Sequence, residues 1–237
     1  ITVAITSFTV NMGKPLTLSN LSLKAWEKVF SRASIISSTT NSFITATAAA
    51  FFGILISCVM AYLLQRTNVK GKRIPDFLIT LGSGTPSVTI ALALIISMSG
   101  KFGINIYNTL TIMVVAYMIK YMLMGMRTVV SAMSQVHPSL EEAAQISGAN
   151  WLRMLKDVTL PLIGASIVAG IFLIFMPSFY ELTMSTLLYS SNTKTIGYEL
   201  YIYQTYHSQQ VASALATAIL LFVILVNYIL NKLTKGQ

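Results

Sequence analysis

The stretch from Glu142 to Pro161 reads EAAQISGANWLRMLKDVTLP and is a short polar segment between two long apolar runs. It opens with Glu-Ala-Ala, continues with Gly148 after three further residues, and ends with Val158, Leu160 and Pro161. The rest of the chain is strongly apolar, so an ordered polar segment needs an explanation. We interpret this segment as a surface that docks another molecule.

The composition indicates a membrane protein. The 237 residues are 54% hydrophobic and 10% charged, whereas about a quarter of the residues in a soluble domain are charged. The net charge of +9 does not point to nucleic acid, because the cations lie beside apolar runs and form no basic and aromatic surface. A single cysteine, Cys58, excludes a disulfide within the chain, and His137 and His207 lack metal-ligand spacing.

Long apolar runs predict spanning helices, since a span needs about 20 mostly apolar residues. The uncharged N-terminal run is shorter and starts with Ile1 rather than Met, so we interpret it as the end of a truncated helix. The predicted fold class is an all-α membrane protein with about six transmembrane helices, the first truncated, in a single domain over 1–237. The predicted segments are a helix end at 1–13, an outer segment at 14–37, helices at 42–64, 77–100, 102–126, 160–185 and 207–231, and a polar loop at 127–159.

The cations predict the orientation of these helices, because cytoplasmic loops carry an excess of Lys and Arg. The loop 65–76, the loop 127–159 and the C-terminal tail together hold more cations than the opposite side. We therefore place the loop 127–159 in the cytoplasm. The cytoplasmic group is Arg66, Lys70, Lys72, Arg73, Arg127, Arg153, Lys156, Lys232 and Lys235, and the outer group is Lys14, Lys24, Lys28, Arg32, Lys101 and Lys194.

The outer segment 14–37 contains an amphipathic pattern. Leu23, Trp26 and Phe30 share one face at helical spacing. This pattern favours a short helix lying at the membrane surface. An ordinary loop with an interfacial tryptophan is the alternative.

The polar loop has a helix start signal at Ser139. Ser139 and Glu142 form the Ser-x-x-Glu pattern of a capping box, in which each side chain binds the other residue's backbone N–H. Pro138 precedes this box, and we expect the helix not to have begun there.

Further signals in the loop predict a helix end and a second helix. Gly148 is expected to end the first helix, since glycine readily adopts the left-handed conformation. Asn150 is a plausible N-cap for a second short helix from Trp151 to about Asp157. Pro161 suits the first turn of the next spanning helix.

The first short helix offers a docking surface. Ala143, Ala144 and Gly148 leave little side-chain bulk on one face, so a partner can approach closely. Glu141 and Glu142 offer carboxylates to an arginine of a docking protein. A capped re-entrant loop that only closes the helix bundle is the alternative.

The order Glu-Ala-Ala, three residues, Gly, nine residues, Ile, one residue, Leu-Pro resembles the cytoplasmic loop motif of binding-protein-dependent ABC importer permeases. Val158 stands here in place of the isoleucine. The apolar pattern around the loop is also similar, so the resemblance covers nearly the whole chain. It implies the type I importer transmembrane-domain fold, with the first short helix in a groove of a cytoplasmic ATPase. The coupling residues it implies are Glu141, Glu142, Ala143, Ala144, Gly148, Val158, Leu160 and Pro161.

This resemblance implies the permease subunit of a bacterial ABC importer in the inner (cytoplasmic) membrane, a multi-pass protein in contact with lipids. The implied partners are a cytoplasmic ABC ATPase dimer, a second permease half or subunit, and an extracytoplasmic binding protein that delivers substrate to the outer segments 11–37 and 186–206. The chain has no Gly-Lys-Ser/Thr phosphate loop and no catalytic set. We therefore expect a transport subunit without a cofactor or metal of its own, with ATP and Mg²⁺ bound by the partner ATPase.

The stretch from Phe179 to Tyr203, FYELTMSTLLYSSNTKTIGYELYIY, resembles ferric-iron-type permeases. In that group two six-helix halves are commonly fused, and the start at Ile1 suits the C-terminal half. Ferric iron is therefore the expected cargo, while phosphonate, thiamine, sulfate and polyamine permeases share the layout and stay alternatives. A stand-alone ion-coupled secondary transporter would require charge pairs within the membrane, and only Glu181 and Lys120 come close.

Residues of the translocation pathway are expected at Tyr180, Glu181, Gly84 and Pro86. Glu181 is flanked by apolar runs and lies about 30 Å along a helix from Pro161, near the outer face. An ionisable residue in such a helix is a functional candidate, and an interfacial carboxylate in water is the alternative. Gly84 and Pro86 soften their helix, which suits either a moving segment or ordinary packing.

Two further features have competing interpretations. Lys120 either reaches the cytoplasmic headgroups with its long side chain or lines the pathway. Met118, Met122 and Met126 recur on one helix face, which favours adaptable packing over a soft-metal site.

Overall fold

The computed structural model describes residues 2–11, 13–15, 17–101 and 103–234. Its long elements are helices, joined by short turns. In chain order they are α1 (Thr2–Thr6), α2 (Lys24–Ser31), α3 (Ala33–Arg66), α4 (Arg73–Gly84), α5 (Ser87–Ser97), α6 (Leu110–Gln135), α7 (Pro138–Ile146), α8 (Trp151–Met154), a π-helical turn (Leu155–Thr159), α9 (Leu160–Phe179), α10 (Thr183–Leu188), α11 (Ile196–Tyr206) and α12 (Gln209–Thr234).

Within the described residues, four helical stretches are long and apolar enough to cross a membrane: Ala33–Arg66, Leu110–Gln135, Trp151–Phe179 and Gln209–Leu230. The bent pair α4 and α5 gives a fifth if it counts as one span. The predicted all-α membrane fold is thus confirmed.

The N-terminal segment is less helical than predicted. The helix end expected at 1–13 contains only α1, and Ile1 and Met12 lie outside the described residues. After α1 the backbone forms a bridge between Thr9 and Leu21. Backbone pairing therefore replaces helical hydrogen bonds in this segment.

The spans α3 and α12 differ from their predicted ranges mainly at their ends. α3 begins at Ala33 rather than at 42. The polar side chains of this first part bond within the helix, as Thr39 Oγ1 does to the Ile35 carbonyl at 2.7 Å. α12 lies close to the predicted 207–231. Lys235, assigned to the cytoplasmic group, lies outside the described residues.

The span α6 is shifted along the chain relative to the predicted 102–126. Gly103 and Asn108 have φ values of 83° and 62°, which interrupt a helix before Leu110. Phe102 lies outside the described residues. At its other end the helix continues past Arg127 to Gln135, because a charged residue ends an apolar run without ending a helix.

The predicted helix 77–100 is broken into α4 and α5, which meet at an angle of 111°. Pro86 has no N–H to donate, and Thr85 is extended, with ψ of 137°. Thr85 N donates instead to Leu81 O and Gly82 O, which ends α4. The single softened helix expected here is therefore wrong.

The predicted helix 160–185 ends at Phe179, and α10 follows it as a separate helix. Glu181 Oε1 accepts a hydrogen bond from Met184 N at 3.1 Å and so caps α10. The segment 186–206, expected as an outer loop, contains α11. α11 approaches the break so closely that a Cβ on Gly197 would collide with the Glu181 carbonyl.

The helices belong to two compact units. The first unit comprises Ile1–Thr45, Ala91–Met113 and Phe179–Gln237, and the second comprises Ala46–Ile90 and Val114–Ser178. In the first unit α12 packs against α1, α2 and α11. Arg32 Nη1 donates to Tyr203 Oη at 2.8 Å, which ties the start of α3 to α11.

The short helix predicted in the outer segment is confirmed as α2, and the ordinary-loop alternative is wrong for these residues. Ala25 and Val29 are buried, while Leu23 and Phe30 are 67% and 70% exposed. Leu23 and Phe30 of the predicted face therefore point outward, which suits contact with a membrane surface. Trp26 of the same face instead stacks on Phe8, with ring centroids 5.6 Å apart, and donates to Ser7 Oγ at 3.2 Å.

The second unit has an apolar core near the polar loop. α6 and α9 approach each other at Gly125 and Gly170, where a Cβ on Gly125 would lie 3.2 Å from the Gly170 carbonyl oxygen. Small residues permit such close helix packing in membranes. Met126 is fully buried, as the packing interpretation of the methionine face predicts. The core residues are Ile54, Ala61, Val129, Met133, Val136 and Ile163.

Candidate functional site

The first helix of the polar loop, α7, begins two residues earlier than predicted. Its first residue is Pro138, and His137 is the N-cap, with its Nδ1 accepting from Ser139 N at 3.3 Å. The predicted capping box of Ser139 and Glu142 is therefore wrong. A proline suits the first helical position because its missing N–H has no helical partner there in any case.

The end of α7 follows the predicted turn chemistry. Gly148 has φ of 89°. Gly148 N donates to Gln145 O at 2.9 Å and Ala149 N donates to Ala144 O at 3.0 Å, which is the Schellman pattern. Glycine is required here by its backbone conformation, since a Cβ at Gly148 would meet no atom within 4 Å.

The second arm of the loop starts as predicted and ends differently. Asn150 Oδ1 accepts from Arg153 N at 2.9 Å and caps α8. α8 does not stop near Asp157, however, but continues through the π-helical turn into α9 as one helical stretch, Trp151–Phe179.

The π-helical turn lies directly before Pro161. Leu160 N donates to Leu155 O, which gives the wider spacing of a π-helix. Pro161 cannot donate a backbone hydrogen bond, so a widened turn before it accommodates the missing bond. Val158 is half-buried within this turn, and Leu160 and Pro161 are exposed.

Glu141 is buried, with 7% of its surface exposed. Its carboxylate accepts from Arg66 Nε, which lies 3.0 Å from both oxygens, and from Thr159 Oγ1 at 3.1 Å. The prediction that Glu141 offers its carboxylate to a docking protein is therefore wrong. Its role is internal, and Glu142, which is exposed, is the acid that faces outward.

The loop exposes large apolar side chains that the sequence reasoning missed. Ile146 is 88% exposed and Leu152 is 69% exposed, beside the exposed Ala143 and Gly148. Exposed apolar groups on a polar loop are typical of a protein interface. The signal in the sequence was an isoleucine immediately before the helix-ending Ser-Gly pair.

Two residues at the end of α3 also escaped the sequence reasoning. Arg66 Nη2 donates to Val136 O at 2.7 Å and to Met133 O at 3.3 Å, at the end of α6. Tyr62 Oη accepts from Trp151 Nε1 at 2.8 Å. No local pattern reveals contacts between residues so far apart in the chain.

The residues predicted for the pathway are divided between the two units. Gly84 and Pro86 belong to the second unit, and Tyr180 and Glu181 belong to the first. Tyr180 is 42% exposed, while Glu181 is only 9% exposed and caps α10. The alternative of an interfacial carboxylate in water is therefore wrong.

Lys120 has a different contact from either predicted one. Its Nζ donates to Thr85 O at 2.8 Å and to Ser83 O at 3.0 Å. The ammonium thus caps the C-terminal end of α4, where the helix dipole favours a cation. Lys120 stabilises the helix break at Pro86 instead of reaching the headgroups.

A polar cleft in the second unit was not predicted. It has a volume of about 590 Å³ and opens between α6, α7 and α9. Hydroxyl and amide side chains contribute to its walls. Its lining residues include Thr128, Ser131, Gln135, Leu140, Leu162 and Ser166.

Glu199 is a buried acid of the first unit. It is 5% exposed, and burial raises the pKa of its carboxyl above the ordinary value. Lys194, a hydrogen bond from Ser38, His207 and Arg32 oppose this rise. Among the described residues, no three His, Cys, Asp or Glu side chains cluster as a metal site would require.

Comparisons with known proteins identify the fold. The chain aligns with a subunit of a bacterial ABC transporter that imports the acidic polysaccharide alginate, with a TM-score of 0.76 and 17% identity over 98% of this chain and 88% of that one. It also aligns with the MetNI methionine ABC transporter, with a TM-score of 0.68 and 15% identity over 85% of this chain and 94% of that one. The type I importer transmembrane-domain fold is thus confirmed.

Sequence relatives cover several cargoes. An Fe(3+)-transport system permease protein of Haemophilus influenzae is 25% identical over 83% of this chain and 39% of its own length. The sulfate transport system permease protein of Salmonella typhimurium is 25% identical over 91% of this chain and 82% of its own length. The trehalose/maltose transport system permease protein of Thermococcus litoralis is 28% identical over 83% and 73%.

This chain spans 30% and 39% of the lengths of two ferric relatives. The family model described as the binding-protein-dependent transport system inner membrane component matches residues 53–235, which include the whole polar loop, the C-terminal part of α3 and the other three spans. The chain therefore belongs to the family of binding-protein-dependent transport system inner membrane components.

Proposed function

We propose that this chain is the permease subunit of an ABC importer in a bacterial inner membrane, driven through α7 and α8 by a cytoplasmic ABC ATPase dimer. ATP and Mg²⁺ are bound by the ATPase and not by this chain. The loop passes the movement of the ATPases to the spanning helices, which alternate between inward-open and outward-open forms. Family membership argues against a stand-alone ion-coupled transporter.

The observation that supports this proposal is the contrast between buried and exposed side chains within the loop. Glu141 is turned inward and fixed, whereas Glu142, Ile146 and Leu152 are presented outward. An apolar centre beside a free carboxylate matches the anatomy of a protein interface, in which apolar anchors supply most of the affinity. A loop that only closed the bundle would have no reason to expose Ile146.

A pull-down with candidate ATPases tests this docking role. The double variant Glu142→Arg, Gly148→Trp and the single variant Ile146→Arg are expected to lose ATPase binding and transport. Val69→Arg is the matched control, because Val69 is an exposed apolar residue, 56% exposed, in another predicted cytoplasmic loop. Unchanged binding in the first two variants would rule out the docking role.

We propose ferric iron as the cargo, delivered by an extracytoplasmic binding protein to the outer segments that contain α2 and α11. Two relatives named as ferric permeases support it, at 27% and 25% identity. The sulfate and trehalose/maltose relatives have similar identities. Selectivity then depends mainly on the binding protein.

Uptake into vesicles that contain the assembled transporter decides between these cargoes. Radioactive ferric iron, sulfate and trehalose are offered in parallel, each with its binding protein. We expect ATP-dependent uptake of iron alone. Uptake of sulfate or trehalose would replace iron as the cargo and leave the docking role intact.

We also propose that the chain works with a second permease half or subunit, either fused or separate. The greater length of the ferric relatives is consistent with the fused arrangement. The mass of the purified transporter, measured with its ATPases bound, tests whether two permease halves are present.

A further inference from the structure

The last turn of α3 contacts both helices of the polar loop 127–159, which is the coupling loop of the proposed function. Tyr62 and Arg66 are four residues apart on one helix, so they share a face. Arg66 binds Glu141 of α7, and Tyr62 binds Trp151 of α8. The Tyr62 and Trp151 rings also meet edge to face, with centroids 5.8 Å apart.

Arg66 joins more than one helix at once. Its Nε binds the Glu141 carboxylate, and its Nη2 binds the carbonyls of Val136 and Met133 at the end of α6. Glu141 in turn accepts from Thr159, in the turn that leads into α9. One guanidinium therefore links the cytoplasmic ends of α3 and α6 to both ends of the loop.

These contacts are shielded from water. The side chains of Arg66 and Glu141 are each 9% exposed. Separating a buried pair leaves a charge without compensation, which is far more costly than separating an exposed pair. The linked segments are therefore held as one body when the loop is pushed.

We propose that Arg66 and Tyr62 are positioning residues that transmit movement of the coupling loop to α3 and α6, in parallel with the direct chain connection to α9. This proposal rests on the proposed function, since it requires an ATPase that moves α7. It adds that the loop does not act through α9 alone. Without Arg66, the ATPase would still dock on α7, but α3 and α6 would not follow.

Spin labels test whether the linked segments move together. Gln65 on α3 and Gln145 on α7 are both exposed, and Cys58→Ser removes the native thiol. Labels at Gln65→Cys and Gln145→Cys in the chain in lipid nanodiscs should give one narrow distance. Arg66→Gln should broaden it. A broad distance without Arg66→Gln, or no change with it, would overturn the proposal.

The ratio of substrate transported to ATP hydrolysed tests, in the assembled transporter, whether Arg66 transmits the movement. Arg66→Gln should reduce this ratio by roughly two- to thirtyfold, the range found for residues that transmit coupling, while ATPase binding in pull-down is retained. Arg66→Lys keeps the charge and should restore part of the ratio. Thr159→Val removes one hydrogen bond from Glu141 and tests the linkage where Arg66→Gln does not fold.

Arg153→Gln is the matched control, because Arg153 pairs with Asp157 in the same loop but with both side chains exposed, at 73% and 54%. It should leave the ratio unchanged. An unchanged ratio in Arg66→Gln would overturn the transmission role alone. Failure of the unmodified chain to bind any ATPase would overturn the proposed function, and the spin-label distances would still test the linkage itself.

Discussion

At the scale of single residues, neighbouring acids in the polar loop have opposite environments. Glu141 is held by Arg66 and Thr159, while Glu142 is exposed. The difference comes from helix geometry, since adjacent residues on a helix point about 100° apart. One acid can therefore stabilise the loop while the next meets a partner.

Glu141→Ala is expected to lower the free energy of unfolding by on the order of 3 kcal/mol, because it leaves the Arg66 charge buried without its partner. Asp157→Ala removes an acid from the exposed pair with Arg153 and should cost about 0–1 kcal/mol. Denaturant unfolding of the purified chain in detergent measures both. Equal losses in the two variants would show that burial of the Arg66–Glu141 pair does not matter.

Glu199 makes the stability of the first unit depend on pH. Burial raises the pKa of this carboxyl above its ordinary value of 4.5, so the folded chain binds the proton more tightly than the unfolded chain. The resulting stabilisation is present below pH 4.5 and is lost as the pH rises through the folded pKa. Glu199→Gln should remove this loss.

Unfolding curves between pH 4 and pH 8 should show that the stability of Glu199→Gln relative to the parent chain increases with pH. Glu199→Gln is expected to be more stable than the parent chain at pH 8 and to have no advantage at pH 4. Glu27→Gln, which removes an exposed acid from the same unit, is the matched control. A gain from Glu199→Gln that is the same at every pH would contradict the assignment.

At the scale of helices, the close approach of α6 and α9 depends on glycine. A Cβ on Gly125 would lie 2.7 Å from Ile174 Cδ1 and 3.2 Å from the Gly170 carbonyl, which cannot move as a side chain can. Gly164 lies in α9, as Gly170 does, but a Cβ on Gly164 would meet no atom within 4 Å. Comparing alanine substitutions at these two glycines therefore distinguishes the cost of overpacking from the effect of helix propensity.

Gly125→Ala should destabilise the second unit by about 1–3 kcal/mol through overpacking. Gly164→Ala should be neutral or stabilising by up to about 1 kcal/mol, because alanine favours helix. Thermal unfolding in detergent compares the two variants. The packing account fails if Gly125→Ala is as well tolerated as Gly164→Ala.

The helix ends show which structural features the sequence could predict. Gly148 and Asn150 act within a few residues, so their turn and cap were predicted from local chemistry. The start of α7 was misassigned because His137, rather than Ser139, is the N-cap residue. Hydrophobic length likewise located the spans but not their ends, since Arg127 continues α6 with its charge paired to Asp76 at 2.9 Å.

At the scale of the whole molecule, the apolar runs and the coupling motif were sufficient to predict the membrane fold and the family. The partners of Arg66 and Lys120 could not be predicted, because they lie on other helices and depend on packing. The pathway residues stay a prediction. Gly84, Pro86, Tyr180 and Glu181 were chosen for their individual chemistry, without knowledge of the unit to which each belongs.

The orientation predicted from the cations is testable on the intact membrane. In a Cys58→Ser background, Gln145→Cys in α7 should react only with a thiol reagent supplied from the cytoplasmic side. Asn192→Cys, between α10 and α11, should react only from outside. Both positions are exposed. Labelling of Gln145→Cys from outside would invert the topology and exclude docking of a cytoplasmic ATPase.

The burial of Glu141 has an evolutionary consequence. Because the buried Glu141 carboxylate binds Arg66 and Thr159, we expect a substitution at Glu141 to be offset by changes in this chain rather than in the proposed ATPase. Glu142 faces outward, and its substitutions can be offset in a partner. Across homologous transporters, position 141 should therefore covary with position 66 of the same polypeptide, and position 142 with residues of the ATPase. An alignment of paired permease and ATPase sequences in which position 141 instead follows the ATPase would contradict this expectation.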